Sequence, residues 1–161
     1  MDNPEIDENK NFEFLVVKSR ELLQEQFKSY ESANSKAGIL ISISALLIPI
    51  ALSFISNSDT PEYVKILTII PTTLMILALT YLLKVLLPKG LNIGFNFDQF
   101  ERLINDPYKD LQLFEIGANK DSFNSNKPIV KTQNRNFKTG VKLVFTSAII
   151  LLVLITASLI F

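Results

Sequence analysis

Three stretches of the chain carry no charged residue: residues 37–55, 66–83 and 143–161. Each has 18 or 19 residues, close to the ~20 apolar residues that a helix needs to cross a bilayer core. A helix on the surface of a soluble bundle keeps a polar face, and these keep almost none. The alternative is three buried helices of a soluble core, but so short a chain leaves too little polar sequence to wrap them. The pattern predicts transmembrane helices over residues 37–55, 64–87 and 143–161.

The flanking polar segments show a second pattern. Phe12, Leu15, Val16, Leu22, Leu23, Phe27 and Tyr30 form one apolar stripe at helical spacing, with Lys18, Arg20, Glu21, Gln24, Glu25 and Lys28 between them. No helix breaker separates this segment from the first span, so residues 12–36 are expected to continue as one helix into 37–55. The stripe needs a partner, either another helix of the chain or a second copy. Residues 128–142 are expected to run into the third span in the same way, with Pro128 in the first helical turn. Between them, residues 88–127 read as a loop with short helices. Pro88, Gly90 and Gly94 end the second span. Asn96 caps a short helix with Gln99 at the capping-box position, and Pro107 starts another that ends at Phe114 or Ile116. Residues 117–127 read as a polar linker, and residues 1–11 as a mobile acidic arm. Pro49 and Pro71 lie inside spans, where each removes a backbone hydrogen bond. Thr68, Thr72 and Thr73 stand ready to occupy carbonyls that Pro71 frees.

Charge placement sets the expected topology. Five Lys or Arg residues precede the first span, ten lie in residues 84–142, and none lies in residues 56–63. The excess of basic residues in cytoplasmic loops puts the N-terminus and the long loop inside and the C-terminus outside. The expected fold is an all-α membrane protein with three transmembrane helices and long cytoplasmic helical extensions of the first and third, N-in and C-out.

Composition narrows the chemistry. The 161 residues include no Cys and no His, and 16 basic residues balance 16 acidic ones. That removes thiolate nucleophiles, imidazole bases and the usual zinc ligands. Asp98, Glu101, Asp106 and Asp110 lie close in sequence, but Pro107 interrupts a shared helical face, and a solvated surface explains them better. No phosphate-binding glycine loop, metal-ligand spacing or serine elbow is present. The reading is a protein that is not an enzyme, with no cofactor and no metal.

Two stripes remain as candidate sites. In the first span Gly38, Ser42, Ala45, Pro49 and Ser53 recur at intervals of four, three, four and four, so they share one helical face. Small residues there suit close helix packing; the same face would also suit the wall of a water-filled pore. The second stripe is Lys131, Arg135, Lys138 and Lys142, with no acidic residue after Asp121. Its partners are anionic lipid headgroups, the acidic residues Glu13, Glu21 or Glu25, or an anionic ligand such as a nucleotide or short oligonucleotide.

Several segments resemble a known family. "ANSKAGILISISALL" is similar to the opening of the first membrane helix in small transmembrane effectors of bacterial antiphage signalling, where a polar helix ends in a Lys-Ala pair, here Lys36-Ala37. "YLLKVLLP", ending at Pro88, and "NRNFKTGVKLVF" resemble the end of their second helix and the entry of their last. The relatives are the Pycsar transmembrane effectors, the SLATT-domain proteins and the membrane effector of the Hailong system. The resemblance implies a nucleotidyltransferase or cyclase partner that makes a nucleotide signal, and an effector that disrupts the bacterial inner membrane. A separate folded nucleotide sensor is missing here, so any sensing falls to the cytoplasmic helices.

Three helices of one chain cannot enclose a water-filled pore, so an ion pathway requires a closed ring of copies, with a tetramer favoured. The expected function is a homo-oligomeric, pore-forming or pore-gating effector that depolarises the membrane under control of a nucleotide or oligonucleotide. The alternative is a non-conducting, membrane-anchored immunity or scaffold protein that binds a partner through its cytoplasmic helices. A transporter is disfavoured because no ionisable residue lies inside a span.

Overall fold

The computed structural model describes residues 8–96 and 100–160. All of its regular structure is helical: α1 (Glu8–Ser56), α2 (Glu62–Leu86), α3 (Phe100–Leu103) and α4 (Tyr108–Ile160). α1, α2 and α4 are each long and apolar enough to cross a membrane. The chain forms two compact units. The first combines α1 up to Tyr30 with Lys89–Lys131, and the second combines Glu31–Pro88 with Thr132–Phe161.

In the second unit the three long helices pack through a repeat of four and three. The buried residues of α2 are Val64, Thr68, Pro71, Thr72, Met75, Ala78, Leu82 and Val85, and all but Thr72 fall at the spacing of a knobs-into-holes seam. α1 contributes Ala33, Ala37, Ser44 and Ala51, and α4 contributes Val144, Ser147 and Leu151. α2 runs antiparallel to α4. Gln133 meets the Val85 carbonyl, Gly140 lies against Ala78 and Leu82, and Ser147 Oγ donates to the Pro71 carbonyl at 2.6 Å. The large aliphatic residues Ile39, Leu46, Ile66, Phe145, Ile149 and Leu152 point outward, as lipid-facing side chains do.

The first unit pairs α1 with α4 in parallel. Val16, Leu23 and Tyr30 of the α1 stripe are buried, whereas Leu15 and Leu22 remain exposed. α4 answers with a polar face. Asn119 Nδ2 donates to Ser19 Oγ at 3.0 Å, and Gln26 Nε2 donates to the Phe123 carbonyl at 3.1 Å. Ser122 Oγ accepts from the Gly94 N–H at 3.1 Å. Gly94 has φ +81°, and a Cβ there would collide with the Asn119 side chain, so only glycine suits this approach. Asn126 grips the backbone of Asn92 twice, accepting from its N–H and donating to its C=O, both at 2.8 Å.

Several expectations change. Residues 117–127 are not a linker but part of α4, and Pro128 lies inside that helix rather than in its first turn. The polar run is helical because its inward side chains are paired one by one, so the helix needs no apolar stripe there. Pro128 is exposed, and water can satisfy the carbonyl it frees. The helix beginning at Pro107 therefore continues to Ile160, and the short helix before it is described over Phe100–Leu103. The Gln99 capping position lies outside the described residues, as do residues 1–7, while residues 8–11 are already helical. Finally, the threonines near Pro71 bond elsewhere. Thr68, Thr72 and Thr73 donate to the carbonyls of Val64, Thr68 and Ile69, each four residues back. The carbonyl freed by Pro71 is that of Leu67, which none of these hydroxyls reaches.

Asn126→Ala is expected to lower the thermal stability of the detergent-solubilised protein by about 1–3 kcal/mol, because the Asn92 backbone loses both partners. An unchanged melting curve would remove Asn126 as the anchor of this connector.

Candidate functional site

The small-residue stripe of α1 turns away from the chain's own helices. Ser42, Ala45, Pro49 and Ser53 are exposed and Gly38 is half-buried. A Cβ added at Gly38 would meet nothing within 4 Å. The intrachain contact of α1 uses other positions, Ala37, Ser44 and Ala51, each 0% exposed. The Ser42 and Ser53 hydroxyls donate to the carbonyls of Gly38 and Ile50, which mutes their polarity without removing it. A weakly polar, small-residue face within a charge-free span is thus left on the outside of the bundle.

The basic stripe is also outward. Lys131, Arg135, Lys138 and Lys142 are all exposed, and none makes an ion pair among the described residues. Glu21 pairs with Lys18 at 3.1 Å instead. In the second unit, Arg135, Lys138 and Lys142 share their exposure with Lys36 of α1 and Lys84 of α2. Among the described residues no cluster of carboxylates is arranged to hold a metal ion; Glu101, Asp106 and Asp110 are exposed.

The sequence reading missed the inward face of α4. Gln112, Asn119, Asn126, Gln133, Gly140 and Ser147 recur every seven residues, and all are buried. Gln133 Nε2 donates to Asn34 Oδ1 at 2.7 Å. A seven-residue period is the signature of a supercoiled seam, and here polar and small residues carry it, so it leaves no apolar period in the sequence.

The first unit also contains a cleft of about 550 Å³ that the sequence did not announce. Val16, Val17, Phe95, Leu103, Ile104 and Leu111 form its apolar walls. Its polar groups are Glu13, Arg20, Tyr108, Gln112 and Glu115. Arg20 and Glu115 form a two-pronged ion pair, Nε to Oε1 and Nη2 to Oε2, the latter at 2.7 Å. The hydrogen bond and charge of Glu115 hold the Arg20 guanidinium above its ordinary range, against a smaller lowering by burial. Phe95 meets Phe114 edge to face, with ring centroids 6.0 Å apart.

A family model for the Pycsar effector protein domain, PycTM, matches residues 18–119. No curated protein and no solved structure matches the chain.

Proposed function

Since the chain belongs to the Pycsar effector protein domain family, and is on that footing a multi-pass membrane effector of antiphage defence, we propose that it conducts ions. In this reading copies assemble in the bacterial inner membrane, a tetramer being favoured, and depolarise it under control of a nucleotide or oligonucleotide signal. The observation that carries the reading is the outward face of Gly38, Ser42, Ala45, Pro49 and Ser53. It is the weakly polar side of a span that its own chain leaves uncovered. In a closed ring such a face meets the symmetry axis or a neighbouring copy. The N-in, C-out orientation follows from the distribution of Lys and Arg. It places Lys131, Arg135, Lys138 and Lys142 where anionic headgroups or an anionic ligand reach them, worth about 1 kcal/mol per residue for a lipid surface.

A non-conducting scaffold or immunity protein is the second reading. It is favoured by Phe14, Leu15 and Leu22, which remain exposed on the first unit and would suit a protein partner. Expression with a membrane-potential dye separates the two. A conducting effector depolarises cells when its nucleotide-producing partner is active. Polarised cells under every partner condition, with the protein present in the membrane, would sink the proposal.

A further inference from the structure

One face of α4 changes character without changing direction. Arg135, Lys138, Lys142, Phe145, Ile149 and Leu152 follow one another at intervals of three, four, three, four and three, and all are exposed. They therefore lie on one side of the helix, while Gln133, Gly140 and Ser147 hold its packed side. The first half of this face is cationic and the second half is apolar. Lys142 and Phe145 are only about 5 Å apart along the axis. Whatever covers Phe145, Ile149 and Leu152 therefore ends against Lys142 and Lys138.

The other two long helices add cations at the same level. Gln133 Nε2 reaches Asn34 Oδ1 at 2.7 Å and the Val85 carbonyl at 3.4 Å, which puts residues 34, 85 and 133 in one layer. Lys36, Lys84 and Arg135 each lie one or two residues from that layer, toward the charge-free run of their own helix. Lys84 stands between the exposed Leu83 and Leu86, with Nζ 5.6 Å from the centroid of the Tyr81 ring. A lysine set in apolar surface lays its stem along that surface and lifts its ammonium toward the headgroups. The acidic residues of the second unit are Glu31, Asp59 and Glu62, and the last two lie at the other end of the spans. The chemistry of the occupant follows. A soluble anion would answer the cations and leave the apolar half of the face uncovered. A zwitterionic lipid would cover the apolar half and leave the positive charge in place. An anionic phospholipid answers both halves.

We infer that the second unit selects anionic phospholipids from the bilayer, with acyl chains along Phe145, Ile149 and Leu152 and headgroup phosphates on Lys138 and Lys142. Lys36, Lys84 and Arg135 add to the field at that level. The inference rests on the membrane reading above and chooses the lipid over the soluble anion for these cations. It is read by lipid contact and not by conductance, so it stands if the protein proves not to conduct, and conduction stands if the face shows no lipid preference.

The chain contains no Trp, so Phe145→Trp, at an exposed position, supplies a single reporter. The full-length variant is placed in phosphatidylcholine vesicles containing either brominated phosphatidylcholine or brominated phosphatidylglycerol, whose bromines quench the indole only from lipids in contact with it. The anionic lipid is expected to reach equal quenching at a mole fraction lower by about fivefold or more. Leu52→Trp, exposed near the other end of α1, is expected to show no preference. Lys138→Gln combined with Lys142→Gln in the Phe145→Trp chain alters only exposed positions and is expected to reduce the preference by about fivefold. Raising the salt from ~0.05 to ~0.5 M is expected to weaken the preference without any charge substitution, which covers the case in which the double variant fails to fold. Equal quenching by the two lipids at Phe145→Trp would overturn the inference. So would an equal preference at Leu52→Trp, or a preference that survives high salt or the double substitution in a folded protein. Loss of the preference to millimolar inorganic phosphate at constant ionic strength would also overturn it, by marking a site for a soluble anion.

Discussion

Gly140→Leu should break the second unit. An ideal Cβ at position 140 lies 2.7 Å from Leu82 Cδ2 and 2.8 Å from Leu82 Cγ, with the Ala78 carbonyl oxygen 3.6 Å away. Leu82 and Ala78 are each 0% exposed, so the displaced side chain has nowhere to go. Forcing a full isobutyl group between α2 and α4 is expected to cost about 3 kcal/mol, against which the helix-propensity gain of about 1 kcal/mol over glycine is too small. The same substitution at Gly38 meets open space and leaves the isolated chain as stable as before. Thermal unfolding of the two variants in detergent checks the contrast. Equal melting of Gly140→Leu and wild type would show that α2 and α4 do not approach as described. Loss of oligomer in Gly38→Leu with the chain still folded would show that neighbouring copies pack through that face.

Filling the outward face of α1 should have the largest effect on function. Ser42 and Ala45 are exposed, so Ser42→Leu combined with Ala45→Leu leaves the packed side, Ala37, Ser44 and Ala51, untouched. If this face lines a water-filled path, two leucines per copy narrow and dewet it. Depolarisation is then expected to fall on the order of tenfold or more, as hydrophobic constrictions close pores. Oligomer size must be measured on the same sample. Full conductance from an intact oligomer would remove α1 from the pore wall, whereas retained partner binding without any conductance in the wild type would favour the scaffold reading.

Much of the fold was legible in the residues, for a physical reason. The bilayer demands a charge-free run of fixed length, so spans announce themselves at residues 37–55, 66–83 and 143–161. The continuity of α1 across residue 36 was legible too, because nothing in "ANSKAGIL" breaks a helix. What was illegible lies in α4. A helix whose inward face is Gln112, Asn119, Asn126 and Gln133 gives no hydrophobic period, and each of these residues favours turns as readily as helices until a partner is known. Those partners, Ser19, Asn92 and Asn34, are far away in sequence. The small-residue stripe was found as a pattern, but which side of the bundle it occupied was decided by Ala37, Ser44 and Ala51. Alanine and serine carry no hydropathy signal strong enough to mark a buried side. The cleft was invisible because its walls come from α1, α3, the connector before α3 and the start of α4 together.

The parallel pairing of α1 with α4 also governs when the protein can exist. The contacts that join them span 95, 97 and 100 residues in the first unit and 99 in the second. Antiparallel neighbours such as α1 and α2 can meet as soon as both have left the ribosome. α1 and α4 cannot, because the rungs of their ladder join residues more than half the chain length apart. During synthesis the first two spans enter the membrane with Ser19, Gln26 and Asn34 still waiting for Asn119, Phe123 and Gln133. The polar ladder closes only after α4 has been made, so a prematurely terminated chain reaches the membrane without a finished first unit, and therefore without the cleft.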